Sequence, residues 1–193
     1  MAQDQRRALS RGAWLCFLDE SGASLTPPTR RTWAPRGHTP VLRHRMRAAG
    51  ASRWPRCAAT GPTGPDACLA FHLSEDAYDT VQLIPVVQAL RRLLGGEAPV
   101  IVVWDNLPAH TSLAMRAWVA DQHAWLQVEY LPVYAPDLNP VEGPVGQPEG
   151  RGAANRACRS LAELAAAAEQ GIGRVRGEPE LLLSFLHQAA LSL

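Results

Sequence analysis

The chain has 193 residues and a formal net charge of +1, with 47% hydrophobic and 19% charged residues. This length suffices for one substantial core, so a single domain over residues 1–193 is expected. No stretch approaches the roughly 18 consecutive apolar residues of a membrane span, and no apolar segment typical of a secretory signal follows the charged first residues. We therefore exclude a membrane protein and expect cytoplasmic residence.

The first half of the chain is predicted to form strands. The apolar run AWLCFLD predicts a buried strand over residues 13–19, and the Gly, Ser and Pro residues after it predict a turn. Further antiparallel strands are predicted over residues 31–34, 57–59 and 67–72. A helix is predicted over residues 74–94, with Ser74 as its N-cap, because apolar residues recur there at intervals of three to four.

The second half is predicted to alternate strands and helices. The most apolar β-branched run, PVIVVW, predicts a central strand over residues 99–104. A helix over 112–122 and a strand over 126–131 form a right-handed parallel crossover with it, and two more helices are predicted over 160–169 and 178–193. Three antiparallel strands, a helix and two parallel strands are the layout of an α/β RNase H-like mixed sheet flanked by helices.

The cysteines show no metal-binding pattern. They form no C-x-x-C pair and have no histidine at zinc-ligand spacing, so a thiol metal site is excluded. We interpret them as reduced structural residues: Cys16, Cys57, Cys68 and Cys158.

Positive charge is concentrated in one segment. Residues 21–65 contain no acid and eight arginines, which suits a phosphate backbone, although a solvated arginine-rich face is an equally weighted interpretation. The arginines taken as candidate DNA contacts are Arg30, Arg31, Arg36, Arg43, Arg45 and Arg47.

Three acids have the setting of a metal-dependent phosphodiesterase. Cleavage of a phosphodiester is assisted by two Mg²⁺ ions, which carboxylates from separate elements can hold. Asp19 and Asp105 are attached to apolar strands predicted to be neighbours, and Glu142 follows Pro140 at the start of a predicted helix. Taken singly, each acid is more simply a turn or helix-start residue; the three together favour catalysis.

The segments around these acids resemble a known family. FLDESGASLTPPTRRTWAPRGHTPVL, VVWDNLPAH and VEYLPVYAPDLNPVEG are similar, in this order, to the three acid motifs of mariner-like bacterial insertion-sequence transposases, the DDE endonucleases. The resemblance implies that Asp19, Asp105 and Glu142 bind two Mg²⁺ or Mn²⁺ ions. It further implies that water and then 3′-OH groups attack DNA, in cut-and-paste transposition.

The resemblance also implies supporting residues and partners. Asn106 is expected near the metal site, and His110 either toward the scissile DNA or within the fold. Glu20 is excluded from the catalytic set, because alternation along the strand points it away from the metals. The expected partners are transposon ends and target DNA, with a homodimer and a separately encoded or fused N-terminal DNA-binding module as further candidates, and the expected location is the bacterial nucleoid.

The chain departs from the family pattern in two places. It begins almost at the first catalytic strand, so we expect the N-terminal helix-turn-helix modules of relatives to be absent. After Glu142 the sequence reads EGPVGQPEG, whose prolines and glycines disfavour the helix that relatives have there. A catalytically impaired relic that binds DNA non-specifically is therefore the alternative. A phosphatase with Asp19 as nucleophile is disfavoured, because its second aspartate two positions later is missing.

Overall fold

In the computed structural model, the described residues are 10–24, 34–38, 51–61, 67–71, 78–132 and 160–178, with the single residues 8, 139, 141, 180 and 184.

Within these ranges, five strands form one mixed sheet in the order β3-β2-β1-β4-β5. Their bounds are Trp14–Ser24 for β1, Ala51–Thr60 for β2, Ala67–Phe71 for β3, Val100–Trp104 for β4 and Leu126–Tyr130 for β5. The first three strands pair antiparallel, whereas β1 with β4 and β4 with β5 pair parallel. The predicted RNase H-like layout of three antiparallel and two parallel strands is confirmed.

The helices flank this sheet. They are Thr80–Leu93 (α1), Pro108–Thr111 (α2), Leu113–Asp121 (α3) and Leu161–Arg176 (α4). The α1 helix lies between β3 and β4 in the chain, and α2 and α3 lie between β4 and β5. None of the helices in the described ranges has the length and apolarity needed to cross a bilayer.

Two strand boundaries differ from the prediction. The turn predicted in residues 21–30 is wrong as far as Ser24, because β1 continues to that residue, and residues 25–30 lie outside the described residues. The prediction of β2 as residues 57–59 is too short, since β2 begins at Ala51. Both differences have one cause: Glu20–Ser24, which contains Gly22, pairs with Ala51–Pro55, which ends in a proline, so each segment is held as a strand by the other. Residues 31–33 of the predicted strand 31–34 lie outside the described residues, and Ala34 is not in a strand.

Helix boundaries also differ. Asp79 is the N-cap of α1, which begins at Thr80, so the prediction of Ser74 as N-cap is wrong. The predicted helix over 112–122 is preceded by the one-turn helix α2, and Ser112 caps α3 by accepting a hydrogen bond from the Met115 N–H. The last described helix runs to Arg176 rather than ending at 169. Of the helix predicted over 178–193, only residues 178, 180 and 184 are described.

The sheet separates two apolar clusters, as the alternation of side chains along a strand requires. On one face, odd-numbered residues of β1 and β4, such as Leu15, Phe17 and Val103, pack with Ile172 of α4. We call this group the odd-numbered cluster, although it also contains Ala58 of β2. On the other face, even-numbered residues of β1 and β4, such as Leu18 and Trp104, pack with α1 and α3. We call this group the even-numbered cluster, although the residues that β2 contributes to it have odd numbers. The β4 strand is buried along its whole length because helices cover both faces of the sheet.

The described cysteines lie within the sheet as free thiols. Cys16, Cys57 and Cys68 are on β1, β2 and β3, and all three belong to or pack against the even-numbered cluster. Burial, with the neighbouring Cys57 thiol, raises the pKa of Cys16 well above its ordinary value, and burial likewise raises the pKa of Cys68. A raised pKa disfavours the reactive thiolate, so Cys16 and Cys68 suit a structural role. Cys158 lies outside the described residues.

The start of α1 is fixed by a capping box. The Asp79 carboxylate accepts a hydrogen bond from the Gln82 N–H at 2.9 Å, and the Gln82 side chain accepts one from the Asp79 N–H at 3.1 Å. We expect Asp79→Ala to lower the free energy of unfolding by about 1 kcal/mol, because it removes a cap from an exposed helix start. Urea unfolding followed by circular dichroism measures this. Asp79→Ser, which retains a capping oxygen, should recover most of the loss; equal losses in both variants would contradict it.

Candidate functional site

Asp19 lies within β1, and Asp105 directly follows the end of β4, the parallel neighbour of β1. Phe17 of β1 pairs with Val103 of β4, an offset of 86 positions (103 − 17). This is the last pair of the β1–β4 register, and Asp19 and Asp105, separated by the same offset (105 − 19), each come two residues after it. Both acids therefore lie at the same end of these two paired segments, where adjacent strands are about 4.8 Å apart. Asp19 continues the odd-numbered face of β1, after Leu15 and Phe17.

Asp105 stands at the end of β4, with its carboxylate held on one side. Oδ1 lies 2.7 Å from Nδ1 of His110 and accepts a hydrogen bond from the Leu107 N–H at 3.2 Å. Within the described part of the chain, Oδ2 makes no hydrogen bond. The side chain is 38% exposed. One oxygen is therefore fixed by the protein, and the other remains available to a ligand.

His110 is enclosed behind Asp105. Its side chain is 1% exposed, and its ring stacks on Trp104 with centroids 4.3 Å apart and planes within 5°. Nε2 lies 3.3 Å from Oε1 of Glu20, and the Tyr130 hydroxyl donates to the His110 carbonyl at 3.1 Å. Of the two locations expected for His110, the structure places the ring within the fold.

The three ionisable groups of this cluster influence one another. Burial disfavours the charged form of His110, but its hydrogen bonds to Asp105 and Glu20 outweigh burial and raise the pKa of His110 to about 9. Burial by itself would raise the pKa of Asp105, but the hydrogen bonds from His110 and the Leu107 N–H outweigh burial and hold this pKa below its ordinary value. Two carboxylates can only accept, so both ring nitrogens donate when both acids are ionised.

Glu20 lies where strand alternation predicts. Its neighbours Cys16 and Leu18 belong to the even-numbered cluster, whereas Asp19 belongs to the opposite, odd-numbered face of β1. Its side chain is only 8% exposed and reaches His110. Sequence reasoning found no role for this contact, since the 90 positions between Glu20 and His110 hide it. The sequence signal that could have indicated this contact is that Glu20 directly follows Asp19 and that His110 follows Asp105 by five residues.

Asn106 connects the ends of β4 and β5. Its side-chain amide donates to the Leu131 carbonyl at 2.7 Å, and the Leu131 N–H donates to the Trp104 carbonyl at 2.9 Å. Asn106 thus fixes the point where the chain leaves the sheet for the third acid motif. It lies next to Asp105, near the candidate site as expected.

Glu142 lies outside the described residues, but the residue before it is described. Val141 is fully buried in the cluster that contains Phe17 and Val103, and its N–H donates to the side-chain oxygen of buried Asn139 at 3.1 Å. The chain directly before Glu142 is therefore anchored on the odd-numbered face of the sheet, the face to which Asp19 belongs.

Arg36 is the one candidate DNA contact that lies among the described residues. It occupies a turn in which the His38 N–H donates to the Pro35 carbonyl at 3.0 Å. Gly37 has φ +85°, which the third position of a type II turn requires. Arg36 is exposed on this turn. The other candidate DNA contacts lie outside the described residues: Arg30, Arg31, Arg43, Arg45 and Arg47.

The described donors fit a hard divalent cation in part. Asp19 and Asp105 supply carboxylate oxygens from two strands, and Mg²⁺ accepts one or two carboxylates while keeping several waters. Within the described ranges, no three metal-ligating side chains form a group that could hold a metal ion. The proposed third ligand, Glu142, is outside those ranges. The carboxylates of Asp19 and Asp105 are the type of ligand that Mg²⁺ or Mn²⁺ prefers. The Asp105 side chain is also exposed enough for its Oδ2 to contact a bound ion.

Comparison with solved structures finds the same fold in mariner transposases. The Mos1 mariner paired-end complex with Mn matches with a TM-score of 0.67 and 19% identity over 97% of this chain and 55% of that chain. The corresponding complex with Mg gives a TM-score of 0.68 at 19% identity, again over 97% and 55%. The catalytic domain of Mos1 mariner transposase gives 0.54 and 17%, over 99% and 90%.

The chain thus spans 55% of the Mos1 chain in those paired-end complexes and nearly all of the isolated catalytic domain. A search of curated proteins found no match. A family model described as DDE superfamily endonuclease matches residues 14–165. This stretch covers most of the 193 residues and runs from the start of β1 into α4. The resemblance of the three acid motifs to DDE endonucleases is therefore confirmed, and the chain belongs to the DDE superfamily endonuclease family.

Proposed function

We propose that this chain is the catalytic domain of a DNA transposase, which cleaves DNA strands and transfers them in a metal-dependent reaction. The observation that carries the proposal is the β1–β4 register, whose offset of 86 positions also separates Asp19 from Asp105. Family membership supports the endonuclease chemistry, and the likeness to Mos1 paired-end complexes supports transposon-end DNA as the substrate.

In the proposed reaction, a water oxygen bonds to phosphorus and the 3′-oxygen leaves as a 3′-OH. That 3′-OH then attacks a target phosphodiester, forming a new bond to phosphorus and releasing the target's own 3′-OH. Two bound divalent ions would stabilise the charge on the attacking and leaving oxygens. The chain's own contribution is to hold carboxylate oxygens at fixed positions: Asp19 within β1, and Asp105 through its bonds to His110 and Leu107.

Glu142 is the proposed third ligand. Its support is the burial of Val141 in the odd-numbered cluster and the Asn139 side chain that holds the Val141 N–H. These contacts fix the main chain one residue before the acid. The segment after Glu142, EGPVGQPEG, departs from the family pattern, so the rate of the reaction depends on how that segment supports Glu142.

The proposed partner is DNA, contacted through the basic segment that includes the exposed Arg36. Lys and Arg contacts to phosphates give affinity without sequence recognition. Recognition of the transposon ends is assigned to an N-terminal module, encoded separately or fused, and a homodimer is the proposed assembly. The bacterial nucleoid is the corresponding location.

The second candidate is a catalytically impaired relic that only binds DNA. The proline- and glycine-rich sequence after Glu142 favours it. It differs from the main proposal in one measurable property, since both candidates bind DNA but only the transposase domain cleaves it.

A nicking assay separates the two. The purified chain is incubated with supercoiled plasmid in Mg²⁺, in Mn²⁺ and in EDTA, while DNA binding is followed in parallel by fluorescence anisotropy. We expect relaxed plasmid with either metal and none in EDTA, with no loss of binding in EDTA. A folded, DNA-binding chain that nicks with neither metal, even when an upstream DNA-binding module is supplied, would establish the relic.

A further inference from the structure

The strongest unassigned feature is the carboxylate–imidazole–carboxylate chain formed by Glu20, His110 and Asp105. We propose that Glu20 is a positioning residue for the Asp105 carboxylate and acts on it through the His110 ring. The inference deepens the proposed function, because it takes Asp105 as a metal ligand. Glu20 itself lies on the opposite face of β1 from Asp19 and is not a ligand in this proposal.

Stacking on Trp104 does not prevent the His110 ring from flipping by 180°, whereas the contact with Glu20 opposes this flip. A ring stacked on Trp104 at 4.3 Å keeps that contact when it flips by 180°, because the terminal torsion of histidine is broadly two-fold. A flip would place carbon atoms where Nδ1 and Nε2 now meet Asp105 and Glu20. The observed orientation is thus held at both ends of the ring: Nδ1 lies 2.7 Å from Oδ1 and 3.2 Å from the carbonyl oxygen of Asp105, and Nε2 lies 3.3 Å from Glu20.

The burial of Glu20 supports a specific role. Its side chain is 8% exposed, and a carboxylate that is removed from water costs free energy unless it is paired and hydrogen-bonded. His110, itself 1% exposed, provides that pairing. The two residues therefore depend on each other, and a change in Glu20 is transmitted directly to the ring.

The orientation of the ring in turn fixes the Asp105 carboxylate. His110 and the Leu107 N–H both hold Oδ1, which fixes the carboxylate plane and presents Oδ2. Partners that hydrogen-bond to metal ligands set their orientation, and their loss typically costs about 10- to 100-fold in metal affinity or activity. Glu20 is one contact further from the metal, so we expect the lower part of this range.

The test is a Mn²⁺ titration followed by electron paramagnetic resonance of the free ion, without DNA. It uses the whole chain at a temperature where circular dichroism shows each variant to be folded. We expect Glu20→Ala to weaken Mn²⁺ binding about tenfold, and Glu20→Gln, which can still hydrogen-bond to Nε2, to recover most of the affinity. Raising the metal concentration should also restore the nicking rate of Glu20→Ala, as a positioning effect on metal binding requires.

Two controls test whether Glu20 acts on Asp105 through the His110 ring. Glu97→Ala removes an exposed acid near the opposite end of β4 and should leave Mn²⁺ binding unchanged. In a His110→Asn background, Glu20→Ala should cause no further loss of affinity, because the ring that connects Glu20 to Asp105 is gone. Additive losses in this double-mutant cycle would overturn action through His110.

The outcomes also separate this inference from the proposed function. Wild-type affinity in Glu20→Ala, with only its unfolding midpoint lowered, would show a purely structural role and overturn the inference while plasmid nicking stands. Mn²⁺ binding that depends on Glu20 in a chain that never nicks DNA would support the inference and overturn the nuclease. A wild-type chain that does not bind Mn²⁺ would overturn the metal site on which both rest.

Discussion

Replacing Asp105 with asparagine is expected to lower the rate of Mg²⁺-dependent DNA nicking by about a thousandfold or more. Metal ions supply several kcal/mol of transition-state stabilisation, and each 1.4 kcal/mol corresponds to about a tenfold change in rate. Asparagine retains the side-chain oxygen that accepts from His110 and Leu107, but it lacks the negative charge that binds the cation.

The same substitution should leave the fold in place. Because both hydrogen bonds can persist, we expect the free energy of unfolding to change by about 1 kcal/mol, the difference between a charge-assisted and a neutral hydrogen bond. Single-turnover nicking and urea unfolding on the same preparation measure the two effects. A nicking rate within tenfold of wild type would remove Asp105 from the metal site.

Asp79→Asn is the matched control for this experiment. It exchanges the same two residue types at the N-cap of α1, where asparagine caps as well as aspartate. It therefore reports the effect of losing one carboxylate at a position unrelated to the metal, and we expect its nicking rate to equal that of the wild type. A comparable loss in both variants would indicate a general electrostatic effect on DNA binding.

The second large effect is expected from Phe17→Ala, which should lower the free energy of unfolding by about 3–5 kcal/mol. Phe17 is fully buried at the centre of the sheet, paired with Ala58 on one side and Val103 on the other. Ala58 is too small to fill the space that a deleted ring leaves, so the cavity term adds to the lost burial. Total stabilities are about 5–15 kcal/mol, which makes this a severe change.

Urea unfolding monitored by circular dichroism tests the prediction. Val81→Ala is the control, because Val81 is 75% exposed on α1 and substitution of a surface residue usually changes stability by less than about 0.5 kcal/mol. If the two variants unfold at the same urea concentration, the central position of Phe17 in the core is wrong.

Local sequence predicted some elements of the fold correctly and others not. The strand at 99–104 was predictable because PVIVVW is apolar at every position, and β4 proves to be buried along its length. The end of β1 was not, since Glu20–Ser24 carries turn-forming residues and is extended only through its pairing with β2, whose partners lie about 30 positions away. The cap of α1 was likewise misplaced, because Ser74 and Asp79 are both good caps.

The candidate site divides in the same way. The sequence by itself identified Asp19, Asp105 and Glu142 as candidate acids, since short motifs carry that information, and the order of strands and helices implied that the first two acids lie on neighbouring strands. Only the tertiary structure decided that β1 and β4 pair with the offset of 86 that also separates Asp19 from Asp105, and that Glu20 reaches the His110 ring that holds Asp105. Such contacts depend on strand register and side-chain burial, which arise from pairing between segments far apart in the chain rather than from local residue preferences.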